Sequence, residues 1–202
     1  MQEPMLASNF RHIVIDMQRL FAERTAWHTP ALASILPNVI RLSTALNSHT
    51  LFARFIVPET AEAAEGSWRR YYQRWSMITG SSHDPALHDL VEPLLQLADK
   101  ANVFDKRGYS IFTGTDLHQR LKRQHVDMLI FSGIETDVCV YSSVMAAIDL
   151  GYNVILATDA LASADDRAHR AALDVLAPRL PEQISAMSTQ AILDHWLQKL
   201  NY

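Results

Sequence analysis

The sequence predicts an α/β fold, a mostly parallel β-sheet covered on both faces by helices. Two observations carry this. Six strand-like apolar runs alternate with stretches of helical periodicity, and helix start and stop signals fall at the junctions between them. Right-handed crossovers between parallel strands place the intervening helices on the two faces of such a sheet.

The elements follow in order. The first strand run is His12-Ile-Val-Ile-Asp16, and a helical stretch over about 31–48 comes after it. The second run is Leu51-Phe-Ala-Arg-Phe-Ile-Val57 and the third is Asn102-Val-Phe-Asp105. Thr115-Asp116 then opens a helix over about 115–124 as an N-cap. The fourth run, Val126-Asp-Met-Leu-Ile-Phe-Ser132, is filled by branched and aromatic residues, as a buried strand is. After Gly133, the apolar residues Val138, Tyr141, Met145 and Ile148 recur at helical spacing over about 137–150. Ser142, Ser143, Ala146 and Ala147 lie between them and permit close packing, and Gly151 stops the helix. The fifth run, Asn153-Val-Ile-Leu-Ala157, is followed by the cap Ser163-Ala-Asp-Asp166 and a helix over about 165–177. The sixth, Ile184-Ser-Ala-Met187, precedes a helix over 189–200. Between the second and third runs, Trp68, Tyr71, Tyr72 and Trp75 are spaced i, i+3, i+4, i+7, so one face of a short helix carries all four, with Arg69, Arg70 and Arg74 off the stripe.

Length and composition bound the function. With 202 residues, 49% of them apolar, the chain supports one core, and a single domain over 1–202 is expected. One cysteine excludes an intramolecular disulfide framework and fits a reducing compartment. Met-Gln-Glu-Pro at the amino terminus has no basic-then-apolar pattern, and no segment approaches the roughly 18 consecutive apolar residues of a membrane span. A cytoplasmic protein is expected. A formal net charge of -4, with charges scattered, gives no electrostatic footprint for nucleic acid.

In open parallel sheets ligands bind beyond the carboxyl ends of the strands. Three polar residues stand at those ends: Asp16 closes the first strand, Lys106 follows the third, and Cys139 lies in the first helical turn after the fourth. A thiol there is stabilised as thiolate by the helix N-terminus, and it needs a base and a neighbouring cation to act as a nucleophile. Asp16 and Lys106 supply those chemical types. Each residue alone also has a structural reading, a loop cap, a solvated lysine and a buried thiol; the combination points to a nucleophilic site.

The spaced motifs Val14-Ile-Asp16-Met-Gln18 with Phe21, Lys106-Arg-Gly-Tyr-Ser-Ile-Phe112 with Gly114-Thr-Asp-Leu117, and Gly133-Ile-Glu-Thr-Asp-Val-Cys139-Val make the chain similar to the isochorismatase-like cysteine hydrolases. Gly151-Tyr-Asn-Val and Asp159-Ala-Leu-Ala-Ser163 extend the resemblance over nearly the whole chain, except about 58–100. The resemblance implies a three-layer α/β/α sandwich around a six-stranded sheet of order 3-2-1-4-5-6, assembled as a homodimer, homotetramer or larger oligomer. It implies an Asp16–Lys106–Cys139 triad acting on a small-molecule substrate without a cofactor. It further implies a cis peptide between Ile134 and Glu135 that turns backbone N–H groups near Glu135 and Cys139 toward an oxyanion hole.

The resemblance also frames what this chain lacks. Relatives of the nicotinamidase type hold a divalent ion with an Asp-x-His pair after the second strand; here that stretch is Arg54-Phe-Ile-Val-Pro-Glu59, and no metal is expected. His83 and His88 are read as surface residues. Residues expected to line the substrate are Gln18, Phe21, Trp27, Tyr109, Phe112, Glu135 and Thr136 by position, with Arg54 as a contact for an anionic substrate group. Trp68, Tyr72 and Trp75 join them if the aromatic segment forms a lid or partner-subunit wall, the other reading being core or interface packing. The expected reaction is hydrolysis of a C–N bond in a small amide, ureido or carbamoyl compound through a thioester. Vinyl-ether hydrolysis on the same fold and an idle binding or scaffold subunit are the alternatives.

Overall fold

The computed structural model describes residues 9–200; the Met1–Pro4 stretch lies outside them. Six strands, β1 (Phe10–Ile15), β2 (Thr50–Phe55), β3 (Val103–Lys106), β4 (Met128–Ile134), β5 (Asn153–Ala162) and β6 (Ile184–Met187), form one sheet of order β3-β2-β1-β4-β5-β6. Every pairing is parallel. The helices are α1 (Arg19–Ala22), α2 (Leu32–Ala45), α3 (Gly66–Arg74), α4 (Leu117–Arg123), α5 (Tyr141–Asp149), α6 (Asp166–Arg170) and α7 (Thr189–Leu200).

Strand alternation divides the core between the two faces. Ile13 and Ile15 of β1 pack with Leu117 and Leu121 of α4 and Val144 and Ala147 of α5, all buried. Phe10 and Val14 face the other way, onto Leu32, Val39 and Leu42 of α2 and Ile192 of α7. On that second face His12 is fully buried, its Nδ1 3.2 Å from Thr50 Oγ1 and its Nε2 2.8 Å from Ser132 Oγ. Burial without a charged partner pushes this imidazole down to about 3, so it is held neutral.

Several elements differ from expectation. β5 runs on to Ala162, after a register shift opposite Phe131–Gly133. The helix expected over 137–150 begins as a π-turn at Thr136–Val140 before α5, and that over 165–177 is α6 followed by π and 3-10 turns through Arg179. Between β2 and β3 only α3 is a full helix; the rest is short 3-10 turns.

This irregular segment is tied to the end of β1. Arg19 N–H donates to Asp89 O and Val91 N–H to Met17 O. The Gln18 amide donates to the carbonyls of Phe55 and His88 and accepts from Phe55 N–H at 2.7 Å. Gln18 is thus fully buried and its hydrogen bonds are spent on backbone, which corrects its reading as a substrate contact. His83 and His88 are also corrected. They are half-buried and pack ring on ring at 5.1 Å, with His88 Nε2 accepting from Val57 N–H.

Candidate active site

The sheet order reverses at β1, which has β2 on one side and β4 on the other. A crevice opens beyond the strand ends at such a point. Asp16 follows β1 immediately, with φ 53, a left-handed conformation that aspartate tolerates better than most residues. Gly133 of β4 pairs with Ile15 and has φ 105; a Cβ there would lie 2.1 Å from Ile15 O. Only glycine admits this approach, which brings the end of β4 against Asp16.

Lys106 starts two strands away, and its side chain crosses β2 to reach Asp16. It is in register with Phe55, and its Nζ lies 4.4 Å from the Phe55 ring centroid, 2.8 Å from Asp16 Oδ2 and 3.2 Å from Gly108 O. Both charged side chains are buried, at 0% and 1% exposure. Asp16 Oδ1 is buried with no hydrogen-bond partner, a free acceptor beside the pair.

Cys139 is buried in the π-turn after β4, and its carbonyl accepts from Ser143 Oγ at 2.7 Å. The Ile134–Glu135 peptide that precedes this turn is cis. Electrostatics at the thiol run opposite to the sequence reading. Burial and then the negative charge of Asp16 push the Cys139 thiol well above its ordinary value, and the opposing pull of Lys106 is smaller. Burial also raises Asp16, against the charge and hydrogen bond of Lys106. For Lys106, burial is outweighed by the negative groups around it, so it stays charged. Burial and the Asp16 charge thus favour the thiol over the thiolate at Cys139, with Lys106 pulling the other way.

Asp16 and Cys139 open into a cavity of about 300 Å³. Phe21, Trp27, Trp75, Tyr109 and Glu135 line it, as their positions suggest, and Phe55, Tyr71, Thr29 and Val138 join them. In the sequence, Tyr71 is visible only as part of the aromatic stripe. Glu135 is fixed through Oε1, which accepts from Ala164 N–H at 2.9 Å and from Thr29 Oγ1 at 3.4 Å.

The remaining candidates point elsewhere. Arg54 is held by Asp105 at 2.7 Å and by Asp89 at 3.5 Å, outside the cavity. Phe112 stacks on Tyr152 at 6.1 Å, and the buried Thr136 hydroxyl lies 2.9 Å from His169 Nδ1. Ile134 is part of the core on the α2 face. Trp68 and Tyr72 line a separate cavity of about 460 Å³, with Arg107 and Gly108 at its edge. The aromatic stripe thus divides, with Tyr71 and Trp75 on the Cys139 cavity and Trp68 and Tyr72 behind it. Among the described residues, no three His, Cys, Asp or Glu side chains cluster as metal ligands do, so the donor set for a divalent ion does not fit this site. Among the same residues, no helix is long and apolar enough to cross a membrane.

The chain is similar to known proteins over most of its length. A family model described as Isochorismatase domain matches residues 11–188. The uncharacterized isochorismatase family protein YwoC of Bacillus subtilis is 29% identical over 157 residues, 72% of this chain and 76% of that protein. A probable inactive nicotinamidase of Arabidopsis thaliana is 29% identical over 79% of this chain and 83% of its own. The crystal structure of a cysteine hydrolase from Pseudomonas syringae pv. phaseolicola superposes with a TM-score of 0.77 at 26% identity, covering 96% of this chain and 98% of that one.

Proposed function

Because the chain belongs to the isochorismatase family of hydrolases, we propose that it cleaves the C–N bond of a small amide or ureido compound through a thioester on Cys139. The observation that carries this reading is the buried Asp16–Lys106 pair beside Cys139, with Asp16 Oδ1 left without a partner.

The steps follow from the protonation states. Asp16 takes the thiol proton as the sulfur attacks the carbonyl carbon, because burial and the Asp16 charge both oppose a free thiolate. The ammonium of Lys106 compensates the negative charge as it shifts from carboxylate to sulfur. Backbone N–H groups around Glu135 and Cys139 receive the oxyanion. The C–N bond breaks, Asp16 returns its proton to the leaving nitrogen, and water deprotonated by Asp16 hydrolyses the thioester.

The Arabidopsis relative named as inactive keeps the reading of an idle binding subunit in play. The complete set of acid, cation and thiol supports catalysis over that reading. The test is release of ammonia or amine from a panel of small carboxamides and ureido compounds, with the Cys139→Ala protein alongside. Release by the native protein that falls by at least about a thousandfold in the variant is the expected result. Release that persists in the variant removes the thioester, and turnover of vinyl ethers alone moves the chemistry to that class.

A further inference from the structure

The cavity walls select for charge, and the selection differs from that read in the sequence. Arg54, the expected anion contact, is consumed by Asp105 and Asp89. Arg69 bonds the carbonyls of Ala64 and Glu62, and Arg74 lies 5.3 Å over the ring of Trp75; among the described residues, no arginine or lysine lines the cavity. The buried cation nearby, Lys106, is paired with Asp16 at 2.8 Å. Glu135 has no such cation: its Oε1 bonds Ala164 and Thr29, and its Oε2 makes no hydrogen bond to the described residues. The facing ionic groups thus leave an excess of negative charge, and His28 lines the cavity from an exposed position.

Aromatic rings that pack on one another line the same cavity as this carboxylate. Trp27 is their hub, with centroids 6.0 Å from Phe21, 5.7 Å from Phe55, 5.9 Å from Tyr71 and 6.5 Å from Trp75. Ring faces attract cations, most strongly alkylated ammonium groups that are cheap to strip of water. An anion would meet these rings and Glu135 with no lysine or arginine among the lining residues, the unpartnered Trp27 Nε1–H being a neutral donor.

We propose that the substrate carries a small alkylated ammonium group, held against the aromatic surface that lines the cavity with Glu135 as its counter-ion, while its amide or ureido carbonyl lies at Cys139. This rests on the hydrolase reading above and narrows its substrate class, away from the anionic ureido acids and toward cationic amides. A cavity of about 300 Å³ has room for a ligand of this size.

Three amides of matched size isolate the charge: trimethylammonio-acetamide, its uncharged isostere 3,3-dimethylbutanamide, and the anion succinamate. Their binding is titrated by tryptophan fluorescence or calorimetry to the Cys139→Ala protein, which cannot turn them over. The cation is expected to bind at least about tenfold more tightly than the isostere, and the anion most weakly. Glu135→Gln keeps an acceptor for Ala164 and Thr29 while removing the charge, and is expected to cut that preference about threefold or more; Tyr71→Leu is expected to cut it similarly. Equal or tighter binding of the isostere, preference for the anion, or no cation binding up to about 10 mM overturns the proposal. Hydrolysis by the native protein is measured separately. Cation preference without any turnover contradicts the hydrolase reading alone, and turnover of neutral or anionic amides without cation preference contradicts this inference alone.

Discussion

Asp16 carries two opposed tasks at the residue scale. As a carboxylate it is the base for Cys139, and its negative charge is one reason the thiol stays protonated. Replacing it by asparagine separates the two. In Asp16→Asn the repulsion is gone and Lys106 remains, so the thiol should ionise at lower pH than in the native protein while hydrolysis is lost. Alkylation of Cys139 by iodoacetamide against pH reads this directly; a midpoint that rises or stays put in the variant contradicts the assignment. The native midpoint is expected above the ordinary thiol value of about 8.5, the reverse of what a cysteine at a helix start suggests from sequence. The direction is not legible there because it depends on burial and on a carboxylate more than a hundred residues away. The same limit explains Gln18 and Arg54. Both stand near strand ends, where functional residues belong, but their partners, the Phe55 backbone and Asp105, are set by strand register.

At the scale of elements, β1 joins the core to the site. Ile13 and Ile15 face α4 and α5, His12 on the opposite, equally buried face bonds across to β2 and β4, and the strand's end delivers Asp16. His12 gives this strand a pH signature. Its folded value of about 3 is below its unfolded 6.5, so between these the unfolded chain binds the extra proton. Stability from this group is therefore full above about pH 6.5 and declines as pH falls toward 3, by up to about 1.4 kcal/mol per unit. Urea denaturation at several pH values checks this. A His12→Val protein should show a shallower decline over the same window, and an unchanged slope assigns the acid sensitivity to other groups. The strands and most helices are legible in the sequence because continuous apolar runs and caps mark them. The segment between β2 and β3 is not, since a chain of short 3-10 turns has no period to read. Its aromatic spacing puts Trp68, Tyr71, Tyr72 and Trp75 on one helical stripe, whereas α3 ends before Trp75 and the four rings divide between two cavities according to how α3 docks over Phe55 and Trp27.

The reversal of strand order at β1 organises the whole molecule. It brings Asp16, the lysine of β3 and the cysteine after β4 to one edge of the sheet, although the sequence separates Asp16 from Lys106 by 90 positions. The three groups are legible in the sequence as polar residues at strand ends, and the family resemblance supplies the strand order that joins them. The cavity walls are only partly legible, because loops from both halves of the chain build them. Glu135 and Thr29 meet across 106 positions to fix one wall, and no local pattern announces that. A thioester on Cys139 during turnover is read most directly from the intact mass of the protein quenched in acid while it hydrolyses a substrate from the panel. The expected result is a mass increase equal to the acyl or carbamoyl portion, mapped to the peptide holding Cys139 and released by hydroxylamine. Steady turnover with no adduct, in a protein whose Cys139→Ala variant turns over at the same rate, would contradict it.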